Sequence, residues 1–248
     1  MLVPELSRIA GKVFSQLSGQ DLISNKWVLS DDSMDEKWLM IEGDEGLIIV
    51  DTMETKEEAN NVLAEFRKIS AKPVKAIIYT HNHADHVFGA ATFAEAGTDV
   101  KIYAHDSTQY YINRVVNTLR PIITTRSMRM FGSNLTQDEL VNAGIGPFLG
   151  VQPHSHLHSL TPTDTFQNEL ALNIEGIEMK LIHAPGETED QIIVWLPQQK
   201  VLLPGDNIYK TFPNLYTIRG TYYRDVNKWI NSLDLMRHLK PEFVIPSH

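Results

Sequence analysis

The segment Tyr79-Thr80-His81-Asn82-His83-Ala84-Asp85-His86 puts three imidazoles and a carboxylate within six residues, directly after the apolar run Val74, Ala76, Ile77 and Ile78. Imidazole and carboxylate together suit zinc and similar first-row metals. A tight turn after a buried strand can aim His81 and His83 at one ion and Asp85 and His86 at a neighbouring one. A lone His-X-His would read as a polar surface loop, but the full His-X-His-X-Asp-His spacing is rare by chance and predicts a metal site. Three further donors, Glu187, Asp206 and His248, sit just past apolar strands, where a sheet presents side chains along one rim. The chain has no cysteine, so any metal is held by His, Asp and Glu; disulfides and a thiol nucleophile are excluded.

Elements that could position these donors are legible on both sides. Lys26 to Leu29, Trp38 to Ile41 and Leu47 to Val50 read as an antiparallel meander, punctuated by the Asp/Glu-rich turn at 31–36 and by Gly43-Asp44-Glu45-Gly46. Thr55 to Ile69 carries Val62, Leu63, Phe66 and Ile69 at helical spacing. Val74 to Tyr79 is the strand that delivers the histidine loop. A helix from Phe88 to Glu95, a strand from Val100 to Ala104 and a helix from Ser107 to Leu119 follow, and this alternation predicts an α/β sheet covered by helices. Residues 120–167 break the rhythm with repeated Pro and Gly and read as a long loop region bordering the substrate cavity. Its His154, His156 and His158 read as solvated, and His105 and His238 as structural or surface residues. Leu170 to Ile174 and Ile177 to Ile182 form a hairpin across Glu175-Gly176. Strands at Gln191 to Leu196 and Lys200 to Leu203, a helix at Arg224 to Leu239 with Trp229, Leu233, Met236 and Leu239 on one face, and a last strand at Phe243 to Ile245 complete the pattern. Residues 1–25 form an N-terminal extension with a short amphipathic helix around Leu6 to Leu17. The chain reads as one catalytic domain over 1–248, and its end on an uncovered strand leads to the expectation of a truncation after residue 248.

At 248 residues and 42% apolar content the chain can bury a substantial core. Its formal charge of -9 argues against nucleic acid and anionic membrane surfaces as partners. An anionic substrate then needs locally placed cations. No apolar run reaches membrane length and residues 1–20 lack a signal-peptide core, so a soluble chain is expected: cytoplasmic, or periplasmic or secreted if a leader has been removed.

The histidine loop, His183-Ala-Pro-Gly-Glu187-Thr, Leu203-Pro-Gly-Asp206-Asn and His248 together resemble the metallo-β-lactamase superfamily over about Trp38 to His248. The resemblance implies an αββα sandwich of two mixed β-sheets flanked by helices, within the α/β (α+β) class, holding one or two metals between its sheets. In that superfamily the Pro-Gly-X-Thr turn usually supplies a histidine; here X is Glu187, with His183 as fallback. The second ion would then take Asp85, His86 and His248, with Asp206 bridging the pair. Carboxylate at both positions, Arg126-Ser-Met-Arg129-Met-Phe-Gly132 with Asn134, Asn142-Ala-Gly-Ile-Gly146, and above all Asn214-Leu-Tyr216-Thr-Ile-Arg219-Gly220 followed by Arg224-Asp225 and Trp229, resemble the zinc alkylsulfatase branch. That branch continues into a helical dimerisation domain and a lipid-carrier-like domain, neither of which is present here, so the oligomeric state stays open.

The resemblance implies a binuclear zinc hydrolase that cleaves alkyl sulfate esters to alcohol and sulfate through a metal-bound hydroxide. Asp85 is the candidate to accept a proton while remaining a ligand. Two zinc ions, three carboxylates and a hydroxide leave the shell roughly neutral, so cations outside it must hold the small anionic ester. Arg219 is the first candidate for pairing with sulfate, and Asn134, Tyr216 and Arg129 are weaker ones. The alternatives are a β-lactam, thioester or lactone hydrolase on the same scaffold, and a non-catalytic metal-binding domain.

Overall fold

A computed structural model describes residues 27–28, 39–136, 138–141, 155–209 and 211–248. The expected helix at Leu6 to Leu17, and His154, lie outside the described residues. Two mixed sheets form the centre. The first has the order β1 (Trp27–Val28), β2 (Leu39–Glu42), β3 (Leu47–Val50), β4 (Val74–Ile78), β5 (Gly97–His105) and β6 (Asp164–Phe166). Its first two pairings are antiparallel and the rest parallel. The second runs β11 (Phe243–Val244), β10 (Val201–Leu203), β9 (Ile192–Leu196), β8 (Ile177–His183) and β7 (Glu169–Ile174).

Neighbouring residues along the central strands enter different cores, as a side-chain period of two requires. Ile41, Ile48, Val50, Ala76 and Ile78 meet Leu181, Ile192, Val194 and Leu203 between the sheets. Their neighbours Met40, Ile49 and Ile77 pack outward on Val62, Phe66 and Phe93. On the far side Ile193, Trp195 and Leu202 are covered by Met236. The central strands are therefore covered on both faces, which is why β3 reads as a continuous apolar run rather than an alternating one. The layers are helix, sheet, sheet, helix, the αββα sandwich the sequence predicts.

Helix α1 (Lys56–Arg67) starts where the Thr55 hydroxyl accepts the Glu58 amide at 3.1 Å, an N-cap. It buries Val62 and Phe66, but Ile69 falls beyond its end and is 40% exposed. The end of the histidine loop, expected as a turn, forms α2 (Ala84–Val87), and the helix expected at Phe88 to Glu95 begins two residues later, after Gly89, as α3 (Ala90–Glu95). A Cβ on Gly89 would lie 1.9 Å from the Thr52 carbonyl and 2.7 Å from Ala59 Cβ. Gly89→Ala is accordingly expected to lower stability by roughly 1–3 kcal/mol through overpacking, measurable as a fall in thermal midpoint.

The helix expected from Ser107 ends early as α4 (Thr108–Asn113) and continues as a π-helical turn at Arg114–Thr118. Residues 120–130, expected inside a loop region, form α5 (Arg120–Met130) with Pro121 in its first turn, where a proline loses no hydrogen bond. Helix α6 (Val226–Leu239) begins at Asp225, whose carboxylate accepts the Asn227 and Lys228 amides, and buries Trp229 and Met236. Among the described residues no helix is long and apolar enough to cross a membrane.

Candidate metal centre

Strand direction gathers the donors. β3, β4 and β5 are parallel, so Asp51 and the His81 loop emerge at the same rim. β8 and β10 are each antiparallel to β9, and β11 is parallel to β10; all three therefore end together, just before Glu187, Asp206 and His248. The centre lies outside the carboxyl ends of the strands, where such sheets expose backbone and leave a crevice.

Six of the seven candidate donors come together as two groups sharing one residue. His81, His83 and Asp206 form one, and Asp85, His86, Asp206 and His248 the other; within each group the donor atoms all lie within 4.8 Å of one another. Asp206 Oδ2 is 3.7 Å from His81 Nε2 and 3.5 Å from His248 Nε2, while its Oδ1 is 3.4 Å from His86 Nε2. Asp85 Oδ2 sits 3.1 Å from His86 Nε2 and 3.4 Å from His248 Nε2. Glu187 joins the first group with Oε1 3.8 Å from His83 Nδ1. Buried His81 Nε2, His86 Nε2, Asp206 Oδ1 and Glu187 Oε2 have no hydrogen-bond partner among the described residues. Buried polar atoms left unsatisfied cost about 1–3 kcal/mol each. His86 Nε2 and Asp206 Oδ1 do face charged neighbours at 3.1–3.4 Å, so the atoms left wholly open are His81 Nε2 and Glu187 Oε2, on candidate ligands that suit cations held by nitrogen and oxygen.

Residues behind the donors fix their orientation. Asp51 Oδ2 lies 2.8 Å from His86 Nδ1, and its Oδ1 accepts the Thr80 amide at 2.8 Å. The Thr80 hydroxyl donates to Asp51 Oδ2 at 2.9 Å and lies 3.0 Å from His81 Nδ1. Both rings thus spend Nδ1–H on protein oxygens and present Nε2 to the cluster, the pattern of metal-ligating histidine. Asp51 does this from a left-handed backbone with φ 63°. Asp51→Asn is expected to weaken metal affinity about 10–100-fold with little change in fold, as read by chelator competition and circular dichroism.

Glu187 is held from two sides. Its amide donates to Asn207 Oδ1 at 3.0 Å, and Asn207 Nδ2 donates to the Ala184 carbonyl at 2.6 Å, so the residue after Asp206 braces the Glu187 turn. A Cβ on Gly186 would fall 2.3 Å from Asn207 Oδ1, which makes glycine the residue this brace admits. The Glu187 carboxylate also accepts Arg224 Nη2, and Arg224 Nη1 donates to the Asn214 carbonyl. Burial pushes Glu187 up to about 8 against the pull of that guanidinium.

Without cations the cluster balances its charge with protons. Burial holds His81 well below its ordinary value, helped by the His86 and His83 charges, and burial with the Arg219 charge holds His83 near about 3. Desolvation would also lower His86, but Asp85, Asp206 and Asp51 outweigh it and raise this histidine well above its usual range. The same balance lifts His248 to about 11, where Asp206 and Asp85 overcome desolvation. Burial would raise Asp206 and Asp85, yet His86 and His248 hold both well below the carboxylate range. A cation binding at the second group would therefore compete with protons on His86 and His248.

Other residues singled out in the sequence fall elsewhere or on the margin. His183 stacks on His105 with centroids 4.1 Å apart and donates Nε2–H to the Glu189 carbonyl at 2.8 Å, so it is committed to structure. His156 is exposed with Nδ1 2.6 Å from Glu57, and His238 Nδ1 donates to the Asp234 carbonyl at 2.6 Å. Arg219 is half-buried, close enough for its charge to act on His83, and its guanidinium touches Met130 Sδ at 3.9 Å. Arg129, Asn134 and Tyr216 are exposed, Tyr216 stacking on Tyr223 at 6.1 Å. Asp51, Thr80 and Asn207 have structural roles at the site that spacing does not reveal.

A four-layer αββα sandwich with a donor cluster along its strand-end rim defines a metal-binding protein of the hydrolase-fold class. The chain belongs to the metallo-beta-lactamase superfamily, whose family model matches residues 36–248. It is 39% identical over 216 residues to a linear primary-alkylsulfatase of a Pseudomonas sp. strain, covering 84% of this chain and 40% of that protein. It is 30% identical over 213 residues to an alkyl/aryl-sulfatase of Saccharomyces cerevisiae, covering 80% of this chain and 32% of the relative. The chain thus spans well under half the length of either. The solved structure of a stereoselective inverting sec-alkylsulfatase from Pseudomonas sp. superposes with a TM-score of 0.81 at 24% identity, over 90% of this chain and 37% of the other. That likeness carries the fold.

Proposed function

We propose that the chain is the catalytic domain of a metal-dependent hydrolase that cleaves alkyl sulfate esters to alcohol and sulfate, with two zinc ions as its cofactors. The observation that carries this is the pairing of a carboxylate ligand set, Glu187 and Asp206, with Arg219 beside it. Similarity to named alkylsulfatases supports the substrate class. His81, His83 and Glu187 would hold one ion, Asp85, His86 and His248 the other, and Asp206 both. Bound there, the ions would supply a nucleophilic water at neutral pH and Lewis acidity toward the ester.

The chain's own residues then bind and orient. Three ligand carboxylates neutralise most of the metal charge, so retention of the sulfate falls to cations outside the ligand shell. Arg219 is the half-buried one, with a planar fork suited to two sulfate oxygens. Arg129, Asn134 and Tyr216, being exposed, are assigned to the outer edge of the substrate path. Asp85 Oδ2, 3.1 Å from His86 Nε2 and 3.4 Å from His248 Nε2, is the carboxylate oxygen placed to take a proton at the second group.

Turnover of an alkyl sulfate series beside β-lactams, thioesters and lactones, with elemental analysis of the same preparation, tests the reading. Two zinc equivalents and hydrolysis confined to sulfate esters are expected; preferential lactam or lactone turnover would overturn it. Labelled water distinguishes the bond broken, since label in the alcohol marks attack at carbon and label in sulfate marks attack at sulfur.

A further inference from the structure

The charge of this chain is segregated. Residues 107–136 contain four arginines and no acidic residue, and residues 208–223 contain Lys210 and Arg219 and no acidic residue, in a chain whose formal charge is -9. The structure brings these two segments together. Arg114 lies over the Tyr222 ring at 4.5 Å from its centroid and donates to its hydroxyl at 2.5 Å. Arg126 Nη1 occupies the space beside Gly220, 2.4 Å from where a Cβ would stand. Arg219 reaches back to Met130 and lies over Phe131 at 6.0 Å. The joint surface is also rich in unburied apolar side chains: Phe212 is 87% exposed, Ile218 71%, Tyr223 69% and Ile122 51%.

Helix α5 makes the case sharper, because it has no buried residue. Isolated helices shorter than about 12–15 residues are marginal in water, and helices in proteins draw their stability from packing one face. An 11-residue helix whose best-covered face, Ile123, Ser127 and Met130, is only half-buried, and which leaves Ile122 and Met128 exposed, is a helix short of a full partner. A second copy of the chain fits poorly, since a two-fold contact would press this cationic face against itself. Apolar side chains set among arginines suit a surface that is oily and negatively charged.

We propose that the face formed by α4, the π-helical turn, α5 and residues 212–223 docks the chain onto aggregates of anionic single-chain amphiphile, micelles of the alkyl sulfates themselves. The choice of amphiphile rests on the alkyl sulfatase reading, which it deepens by naming the physical state in which substrate is met. Arg219 belongs to both the docking face and the margin of the metal centre, so a docked chain presents its centre to the headgroup layer. The net negative charge of the remaining surface turns the rest of the molecule away from the aggregate.

The test uses the zinc-loaded chain and mixed micelles of dodecyl maltoside with a minor fraction of dodecyl sulfonate, a headgroup analogue with no ester to cleave. Binding is read by co-elution, and hydrolysis of hexyl sulfate below its aggregation threshold is read in parallel. Stronger retention on doped than on undoped micelles is expected, falling with added salt. Phe212→Ser with Ile122→Ser, and separately Arg120→Gln with Arg126→Gln, should each weaken it at least about tenfold while hexyl sulfate turnover persists. Equal retention on both micelles, variants that bind like the parent, or a concentration-dependent dimer abolished by Phe212→Ser would each overturn the proposal. Failure of hexyl sulfate hydrolysis with intact micelle binding would instead strike the catalytic reading alone.

Discussion

Asp206→Ala is expected to leave a folded chain that retains fewer than one zinc equivalent and has lost about 10³-fold or more in alkyl sulfate turnover. Among the described residues Asp206 is the only one common to the two donor groups, with one oxygen toward His86 and the other toward His81 and His248. In the proposed arrangement, removing it would take a ligand from both ions at once and leave His86 and His248 with Asp85 as their remaining carboxylate in that group. Groups that act as a unit lose function together when one is deleted, so the effect should rival loss of the whole site. His248→Ala is the informative contrast. It belongs to the second group alone and should spare the His81, His83 and Glu187 ion, giving about one equivalent by elemental analysis. Retention of two equivalents by Asp206→Ala would sink the shared-ligand arrangement.

The donors were legible in the sequence because ligand chemistry restricts residue type and because they follow apolar strands. The partners that aim them were not. Asp51 reads as the close of a strand, and its role depends on the parallel pairing of β3 with β4, which puts it beside Thr80 and under His86. Asn207 reads as turn chemistry after Asp206, yet it braces the Glu187 turn across 20 residues. The same distinction separates the helices found from those missed. Helices α1 and α6 bury a face and so carry a periodic apolar signal, whereas α5 buries nothing and reads as loop. Strand β6 is three residues long and is set by its pairing with β5 rather than by its own pattern. The need for glycine at position 89 was hidden because what it approaches, the Thr52 carbonyl, is distant in sequence.

Arg224→Met is expected to weaken zinc binding about 10–100-fold near neutral pH, and the loss should shrink as pH rises. Arg224 is buried, with one guanidinium nitrogen on Glu187 and another on the Asn214 carbonyl. Glu187 already sits at about 8 because burial outweighs the guanidinium. Deleting that cation moves the carboxyl further up, and a ligand must be ionised to bind. Below its pKa each unit of pH then costs about tenfold in the ionised fraction, so chelator competition from about pH 6 to 9 should show the variant's affinity climbing over a higher range than the parent's. Removing a buried hydrogen-bonding partner from Glu187 and the Asn214 carbonyl also costs about 1–3 kcal/mol for each group left unsatisfied, so the metal-free variant should melt earlier. Arg224→Lys separates the two effects. A lysine keeps a positive charge near Glu187 but cannot span to Asn214, the residue that opens the loop carrying Arg219. It should restore the pH profile of metal binding while KM for alkyl sulfate stays raised. A pH-independent loss in both variants would mean that Arg224 serves packing alone.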